Sequence, residues 1–294
     1  MNFRLSTALA LICLAPVAWA EAPMTAGTAS AAPTAVTLGG IINPDTDDTV
    51  AFTPDGDTVF FDRSTAKDKF VMISHRVNGQ WSAPQIAPFS GHWFDQDPVV
   101  APDGSYMLFD SDRPTSSGAK PLVQAYFGKP AHGANLWRVD RKGDGWGEPV
   151  WLSATVNAKP FVDFASIAAD NSLYFMWWEG GDVHFFRSQY KDGVYLLPVR
   201  VALGDPAVTT HDPAVAPDES FIVFDYGRTK GTLGRLSIAF REGDHWSKPV
   251  DFGAAINKGA PWGSHLGPDH RTLYFTDSTN IWSLPLGPWL SPAK

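Results

Sequence analysis

The fold is decided by the stretch Pro102-Asp103-Gly104-Ser105-Tyr106-Met107-Leu108-Phe109, a tight-turn phrase followed by an apolar run that ends in Phe. Proline presets the backbone at one turn position, and Asp and Gly tolerate the positions after it. The apolar run is too short for a helix and predicts a β-strand. The phrase returns, with substitutions, as Pro54-Asp55-Gly56, Ala169-Asp170-Asn171, Pro217-Asp218-Glu219 and Pro268-Asp269-His270. The chain is therefore an internal repeat.

The repeat has the period of a propeller blade. Successive turn phrases lie about 48 residues apart, with one insertion of about 19 residues, roughly Pro114 to Gly133, and this period is that of one four-stranded blade. A third strand such as Leu136-Trp137-Arg138-Val139 follows the apolar run. Next come a hairpin signal such as Asn78-Gly79 and a segment whose proline suits an outer, edge strand.

The two ends of the chain are expected to meet in one blade. The fifth unit stops at Leu284-Pro285-Leu286, so it lacks its own outer strand, whereas residues 33–39 resemble the outer strand at residues 249–253. Pairing the two would cover a sheet edge that otherwise invites aggregation. The sequence thus predicts an all-β fold, a single propeller of five four-stranded blades whose last blade is closed by the N-terminal strand.

The N-terminal residues predict export. Residues 1–20 combine one basic residue, Arg4, with an apolar stretch and the small-residue site Ala18-Trp19-Ala20, which indicates a secretory signal. Residues 21–32 are expected to be a flexible lead-in and residues 33–294 the propeller domain. Cys13, the single cysteine, lies inside the signal, so no disulfide is expected. A periplasmic or secreted protein with no membrane insertion follows.

Composition argues against some partners and some chemistries. The formal net charge is −8, which disfavours nucleic acid and anionic membranes as partners. The sequence contains no Gly-x-Ser-x-Gly elbow and no phosphate-binding Gly-Lys loop. No cofactor is required by any motif, and a divalent metal stays possible.

The repeat resembles a known family. The segment Asp97-Pro98-Val99-Val100-Ala101-Pro102-Asp103-Gly104, with Leu108-Phe109-Asp110 after it, and its counterpart Asp212 to Asp225 resemble the WD40-like (PD40) repeat of TolB-type periplasmic proteins. The resemblance covers nearly all of the chain after the signal and implies a propeller, but such a fold hosts many activities. TolB proteins carry a separate α/β domain before a six-bladed propeller, so a role in the Tol system is not expected.

Strand order assigns the loops to two faces. The turn aspartates, Asp55, Asp103, Asp170, Asp218 and Asp269, fall on the bottom face and are expected to be structural. The loops before each first strand, and those between second and third strands, share the top face, where the insertion could act as a lid. The candidate ligand-binding residues on this face are Asp48, Trp93, Asp97, Arg113, Asp163, His211, Asp212, Arg228, Trp262 and His265.

These residue types suit a sugar, because aromatic faces stack on the ring while carboxylates bond to its hydroxyls. Alternatives stay open: Asp97 and Asp212 could tie neighbouring blades, and His211 and His265, with His92, could be metal ligands, proton donors or a polar rim. Trp93, Trp262 and the run Trp177-Trp178-Glu179 break the repeat and are better ligand candidates than the recurring tryptophans.

Three functions are compatible with the sequence. The first is a non-catalytic exported propeller that binds an oligosaccharide or a protein on its top face. The second is a carbohydrate-active hydrolase or lyase that uses carboxylates or histidines of the funnel, since a glycosidase needs only two carboxyl groups across the scissile bond. Asp48, Asp97 and Asp163, from three successive blades, are the acids in question. The third is a structural partner in an envelope complex, whose sign would be an apolar patch on the rim.

Overall fold

The structure is a computed structural model that describes residues 32–126, 129–179, 182–229, 231–232, 234–277 and 279–290. The predicted signal, residues 1–20, and the lead-in up to residue 31 lie outside the described residues. From there on, short antiparallel sheets follow one another along the chain and form the five blades of a β-propeller. The all-β prediction is confirmed.

The elements occur in the following order. The chain starts with β1 (Thr34–Ala35) and a 3-10 turn (Leu38–Gly40). Blade 1 contains β2 (Asp47–Phe52), β3 (Thr58–Ser64), β4 (Lys69–Val77), β5 (Gln80–Trp81) and β6 (Gln85–Ile86). Blade 2 contains β7 (Asp95–Val100), β8 (Tyr106–Ser111), the inserted hairpin β9 (Val123–Tyr126) and β10 (Lys129–His132), then β11 (Asn135–Lys142), β12 (Gly145–Trp146) and β13 (Val150–Trp151).

The remaining blades repeat this plan. Blade 3 contains β14 (Val162–Ile167), β15 (Leu173–Glu179), β16 (Asp182–Ser188), β17 (Tyr190–Lys191), β18 (Val194–Tyr195) and β19 (Val199–Arg200). Blade 4 contains β20 (Thr210–Val215), β21 (Phe221–Tyr226), β22 (Arg235–Glu242), β23 (His245–Trp246) and β24 (Val250–Asp251). Blade 5 contains α1 (Ala254–Asn257) before its first strand, then β25 (Trp262–Leu266), β26 (Thr272–Thr276), β27 (Ile281–Pro285) and α2 (Gly287–Leu290).

The N-terminal strand closes the ring as predicted. Strand β1 pairs antiparallel with β27, with Thr34 opposite Ser283 and Ala35 opposite Trp282. One residue further, the N–H of Val36 donates to the carbonyl of Ile281 (2.8 Å). The order of the last sheet is therefore β1-β27-β26-β25, so the fourth strand of blade 5 comes from the opposite end of the chain.

The hydrophobic core lies between blades. One buried cluster joins Phe60 of blade 1 to Phe109 and Trp137 of blade 2, and four further clusters contain residues of the other neighbouring pairs. The second strand of each blade contributes to both of its neighbours, which explains why runs such as Tyr106 to Ser111 are buried along their whole length. A continuous apolar run, with no polar alternation, is typical of a strand covered on both faces.

The turn aspartates have the structural role expected of them. Oδ1 of Asp103 accepts hydrogen bonds from the N–H (2.9 Å) and the hydroxyl (2.7 Å) of Ser105, and equivalent bonds exist in the other four turns. The residue after each aspartate has a positive φ, from 51° at His270 to 71° at Gly56 and Gly104. Turns of neighbouring blades lie side by side on one face: a Cβ at Gly56 would lie 3.8 Å from Pro268 and one at Gly104 3.1 Å from Pro54, and the N–H of Ala169 donates to the carbonyl of Pro217 (2.8 Å). Separately, no described helix has the length and apolarity that crossing a bilayer requires.

The ring closure predicts the effect of truncation. A chain starting at residue 39 loses the pairing of β1 and the packing of Val36 and Leu38 against the core between blades 5 and 1. We expect the free energy of unfolding to fall by about 2–4 kcal/mol, measured by urea denaturation. A chain starting at residue 33 is the control and should match a chain starting at residue 21. Equal stability of all three would contradict a closing role for β1.

Candidate functional site

Each first strand carries an irregularity where it reaches the top of the central funnel. The register of the first pair of strands shifts at this point in all five blades. In blades 2 to 5 the residue at the irregularity has a left-handed backbone: Asp97 (φ 50°), Phe164 (51°), Asp212 (57°) and Gly263 (70°). For a bulky residue such as Phe164 this conformation is costly, and such strain persists only where the surroundings enforce it.

Hydrogen bonds from neighbouring blades hold these irregular residues. The N–H of Asp97 donates to both carboxylate oxygens of Asp62 (3.1 and 3.0 Å). The N–H of Phe164 donates to Oδ2 of Asp110 (2.7 Å), and the N–H of Gly263 donates to Oδ2 of Asp212 (2.9 Å). The Asp212 carboxylate thus connects blade 4 to blade 5. Asp97 is connected to blade 1 through its backbone N–H, and the residue lines the pocket with its carboxyl group unpaired among the described residues.

A pocket of about 420 Å³ opens at the top of the funnel. Its aromatic residues are Phe94, Phe161, Phe164, Trp178, His132, His211 and Trp262, and its charged residues are Lys69, Asp97, Asp163, Asp212 and Arg228. Below it the channel narrows to a cavity of about 60 Å³ near the bottom turns. The top of the funnel is therefore the end with room for a ligand.

The insertion in blade 2 forms one wall of this pocket. Its hairpin, β9 with β10, contributes Gln124, Ala131 and His132 to the lining. Nδ1 of His132 lies 2.7 Å from Oδ2 of Asp112, and the His132 ring stacks on Phe94 with centroids 4.1 Å apart. The predicted position on the top face is confirmed, while closure as a lid stays a prediction.

The two cations of the pocket are already paired. Nζ of Lys69 lies 2.8 Å from Oδ2 of Asp48 and 3.5 Å from Oδ2 of Asp62. Arg228 donates to Oδ2 of Asp212 (2.6 Å) and is also paired with Asp225. Burial alone would lower the pKa of Lys69, but the carboxylates of Asp62, Asp97 and Asp48 raise it well above its usual value. Both cations therefore stay charged and neutralise the acids that they contact.

Three carboxyl groups of the same region form no ion pair within 4 Å among the described residues. Burial, and then the charge of Asp62, raises the pKa of Asp97 well above its ordinary value. Burial, and then repulsion from Asp97, does the same to Asp110 and Asp163. Within the described part of the chain, Oδ1 of Asp163 and Oδ1 of Asp110 are buried without a hydrogen-bond partner. Carboxyl groups of raised pKa stay protonated at higher pH than exposed ones and can then donate hydrogen bonds.

The two buried histidines are neutral. Burial, and then the charge of Arg228, lowers the pKa of His211 to about 4, and burial lowers the pKa of His265 to about 4. His211 lines the pocket, whereas His265 lies lower, against the ring of Phe164 (4.9 Å between centroids) and beside the narrow cavity. For both, Nε2 is buried without a hydrogen-bond partner among the described residues.

The structure gathers most of the predicted site residues and separates the rest. Those that line the pocket are Asp97, Asp163, His211, Asp212, Arg228 and Trp262. Asp48 reaches the site only through its ion pair with Lys69, and Trp93 is half-buried in the loop before β7, outside the lining. Arg113 is not brought to the pocket, because its guanidinium bonds to Asp95 (2.8 Å) and to the carbonyl of Phe89 (3.1 Å) inside blade 2.

Sequence reasoning missed part of the lining. Lys69 stands at the start of a third strand directly after a top loop, and this position was the available signal for it. Phe94 and His132 gave no signal, because only their stacking across the insertion brings them to the pocket. Of the run Trp177-Trp178, Trp178 lines the pocket, whereas Trp177 packs in the core and donates to the carbonyl of Val156 (3.2 Å).

Two further features of the structure concern a possible metal site and the apolar rim patch that would mark a structural partner. No group of three His, Cys, Asp or Glu side chains is arranged to hold a metal ion within the described residues. An exposed apolar segment does occur on the outer edge of blade 3, where Leu197 is 82% exposed and Val199 69% exposed. It borders a groove of about 370 Å³ between blades 3 and 4.

Comparisons with known proteins identify the fold. No protein-family profile and no curated protein match the sequence. Among solved structures, the chain is similar to a protein described as TolB from Agrobacterium tumefaciens, with 13% identity, a TM-score of 0.53 and coverage of 84% of this chain and 78% of that one. It is also similar to a thermostable family-43 glycoside hydrolase, with 11% identity, a TM-score of 0.55 and coverage of 85% and 91%. The chain thus has a TolB-like propeller fold, and at these identities the likeness shows the fold alone.

The neutral state of His265 predicts a pH dependence of stability. An unfolded histidine takes up a proton near pH 6.5, whereas folded His265 does so only near pH 4, so the unfolded state binds more protons between these values. Stability should therefore fall as the pH falls from 6.5 to 4, by up to about 3 kcal/mol from this residue. The change His265→Leu should remove this contribution, so the free energy of unfolding of the wild type minus that of the variant, from urea denaturation, should fall by up to about 3 kcal/mol between pH 6.5 and pH 4. An unchanged pH dependence would contradict it.

Proposed function

We propose that the protein is an exported propeller that binds a carbohydrate in its top-face pocket without turning it over. One observation carries the proposal: the pocket lining combines aromatic walls with Asp163 and His211, whose buried Oδ1 and Nε2 atoms lack a partner among the described residues. Burying such atoms costs free energy unless something bonds to them. A hydroxylated ligand would supply those bonds.

The shape and lining of the pocket support this class of ligand. A volume of about 420 Å³ falls within the usual range of roughly 300–1,000 Å³ for ligand pockets. Trp262, Trp178 and Phe161 offer flat apolar faces on which a sugar ring can stack. Neutral carboxylic acids and neutral histidines can both donate and accept hydrogen bonds, which suits hydroxyl groups.

Localisation belongs to the same proposal. The signal-like residues 1–20 support export, and a ligand from the cell envelope or the medium would then be accessible. Beyond the predicted signal the sequence offers no second long apolar stretch, in keeping with a periplasmic or secreted protein.

Binding is tested by calorimetry and thermal shift with a panel of neutral and charged oligosaccharides. We expect at least one class to raise the melting temperature, and Trp262→Ala to weaken its binding about tenfold or more, because a stacking face is lost. Trp93→Ala is the matched control, since Trp93 lies outside the lining and should leave the affinity unchanged. A flat response to the whole panel would overturn carbohydrate binding.

The second candidate function is carbohydrate hydrolysis or lyase chemistry. The observation that favours it is the raised pKa of Asp97 and Asp163, which lie in one pocket and repel each other, because a general acid must hold its proton at working pH. Incubation of each bound oligosaccharide with the protein, followed by product analysis, decides between the two functions. Products that disappear in Asp163→Asn, with binding retained, would replace the binding proposal by the enzymatic one.

A protein partner is the remaining candidate, and the exposed edge of blade 3 favours it. The equivalent positions of Leu196-Leu197 are Ser82-Ala83, Gly147-Glu148 and Ser247-Lys248 in blades 1, 2 and 4, so the repeat itself does not need leucines here. The adjacent groove is lined by Arg187, Arg200 and Arg241, of which Arg187 and Arg241 already pair with Glu219, so the exposed leucines suit a partner segment with apolar side chains.

Pull-down of envelope proteins tests this surface. A specific partner should be captured by the wild type and lost with Leu197→Glu, because a charge is placed on the apolar edge. Val77→Glu, at an exposed position of blade 1, is the control and should retain the partner. Equal capture by both variants would exclude the blade 3 edge.

A further inference from the structure

The pocket contains more carboxyl groups than its cations can neutralise. Lys69 and Arg228 are each shared between two aspartates, which leaves Asp97, Asp110 and Asp163 without an ion pair among the described residues. Asp97 and Asp163 line the pocket, and Asp110 is fully buried and bonded to the backbone of Phe164. The unpaired acids thus lie together on the blade 2 and blade 3 side of the funnel.

One of these acids combines a place in the pocket lining with a buried acceptor that no described residue uses. The residue Asp163 is 7% exposed, and within the described ranges its Oδ1 has no hydrogen-bond partner. Burial, and then repulsion from neighbouring carboxylates, raises the pKa of each of the three acids, and Asp97 is the strongest source of that repulsion for both Asp110 and Asp163. A cationic donor at this place would satisfy the free oxygen and relieve the repulsion at once, which a neutral hydroxyl group cannot do.

The aromatic residues of the pocket also favour a cation. The rings of Phe161 and Trp178 lie edge to face with centroids 5.8 Å apart, and Phe164 and Trp262 complete the apolar lining. Aromatic faces attract an ammonium group through their quadrupole, most strongly where water is excluded. Phe164 is held in its costly left-handed conformation by Asp110, so one of these rings is fixed by the same group of acids.

Ionisable side chains from several blades surround the carboxyl groups of Asp97 and Asp163. In the lining they are Lys69, Asp97, His132, Asp163, His211, Asp212 and Arg228, and behind it Asp48, Asp62, Asp110, Asp112 and Asp225. Each cation of this set is paired with at least one acid, and the buried His211 is neutral near pH 6. The unpaired acids on the blade 2 and blade 3 side of the pocket therefore favour a positively charged ligand.

We propose that the ligand of the top pocket is an amino sugar with a free ammonium group, which binds between the carboxyl groups of Asp97 and Asp163. This inference rests on the proposed carbohydrate binding and narrows it to one chemical class. Binding converts a protonated carboxyl group of the pair into a carboxylate, and the released proton goes to the solvent. No bond other than this O–H bond is broken.

A matched ligand series tests the proposal. β-1,4-linked tetramers of glucose, of glucosamine and of N-acetylglucosamine share one backbone and differ at carbon 2, which carries a hydroxyl, an ammonium or a neutral amide. Calorimetry at pH 6.0 is performed with each tetramer in two buffers of different ionisation enthalpy. We expect the glucosamine tetramer to bind about tenfold or more tightly than the other two, with proton release on binding.

Two substitutions complete the design. In Asp163→Asn the preference for glucosamine and the proton release should disappear, while any binding of the neutral tetramers persists, because Asn resembles the protonated acid but cannot become charged. Asp144→Asn, at an exposed bottom hairpin, is the control and should behave as the wild type. Melting curves show whether each variant is folded.

Three results would contradict the proposal, each at a different point. Equal binding of the three tetramers, or tighter binding of a neutral one, overturns the ammonium inference and leaves carbohydrate binding intact. A preference for glucosamine that survives Asp163→Asn overturns the assignment to this pair of acids. If no tetramer binds, the amino-sugar inference fails, and the wider oligosaccharide panel decides whether the carbohydrate proposal fails with it.

Discussion

The structure depends on the hydrogen bonds by which buried acceptors of one blade hold the backbone of the next. Asp62 and Asp110 each accept the N–H of a left-handed residue in the neighbouring first strand, and in blade 3 the sulfur of Met176 has the same role towards Asp212 (3.2 Å). These bonds fix where each first strand bends. The residue just before the bend then faces the funnel, and this position is occupied by Gln96, Asp163, His211 and Trp262 in blades 2 to 5. The same backbone bend thus places a different side chain at the funnel in each of these four blades.

The same bonds explain the electrostatics of the site. Three of the four acceptors that hold these backbone N–H groups, Asp62, Asp110 and Asp212, are aspartates, and aspartates from successive blades converge on one axis. Lys69 and Arg228 neutralise part of this charge, and the pKa of Asp62 is still raised to about 6, mainly by burial, and that of Asp225 to about 7 for the same reason. Closing the ring therefore concentrates carboxyl groups at the proposed ligand pocket. A ligand can interact with aspartates that the propeller already needs to hold its strands.

Much of the fold could be predicted from the sequence, because it depends on local turn chemistry. The turn around Asp103 and its four counterparts mark the blades, and the missing outer strand after Leu284 indicates where β1 must pair. The site was less predictable. Arg113 and Arg228 occupy comparable top loops, but Arg113 finds Asp95 inside its blade whereas Arg228 finds Asp212 at the funnel. His265 lies three residues after Trp262 along the same strand and so falls below the pocket. Tertiary packing decides which aspartate an arginine pairs with and how deep in the funnel a side chain lies. Neither leaves a local pattern in the sequence.

The pairing of β1 with β27 also determines when folding can be completed. The first strand to be synthesised has its partner 249 residues away, as in the bond from the Ser283 hydroxyl to the Thr34 carbonyl. Until the last blade has been made, an emerging chain has two uncovered apolar sheet faces, one on blade 1 and one on its newest blade, because the core lies between neighbouring blades. Such exposed apolar surface associates readily with other chains. Nearly the whole chain must therefore stay apart from its neighbours until the last forty or so residues arrive, and only then do blades 5 and 1 cover each other's faces.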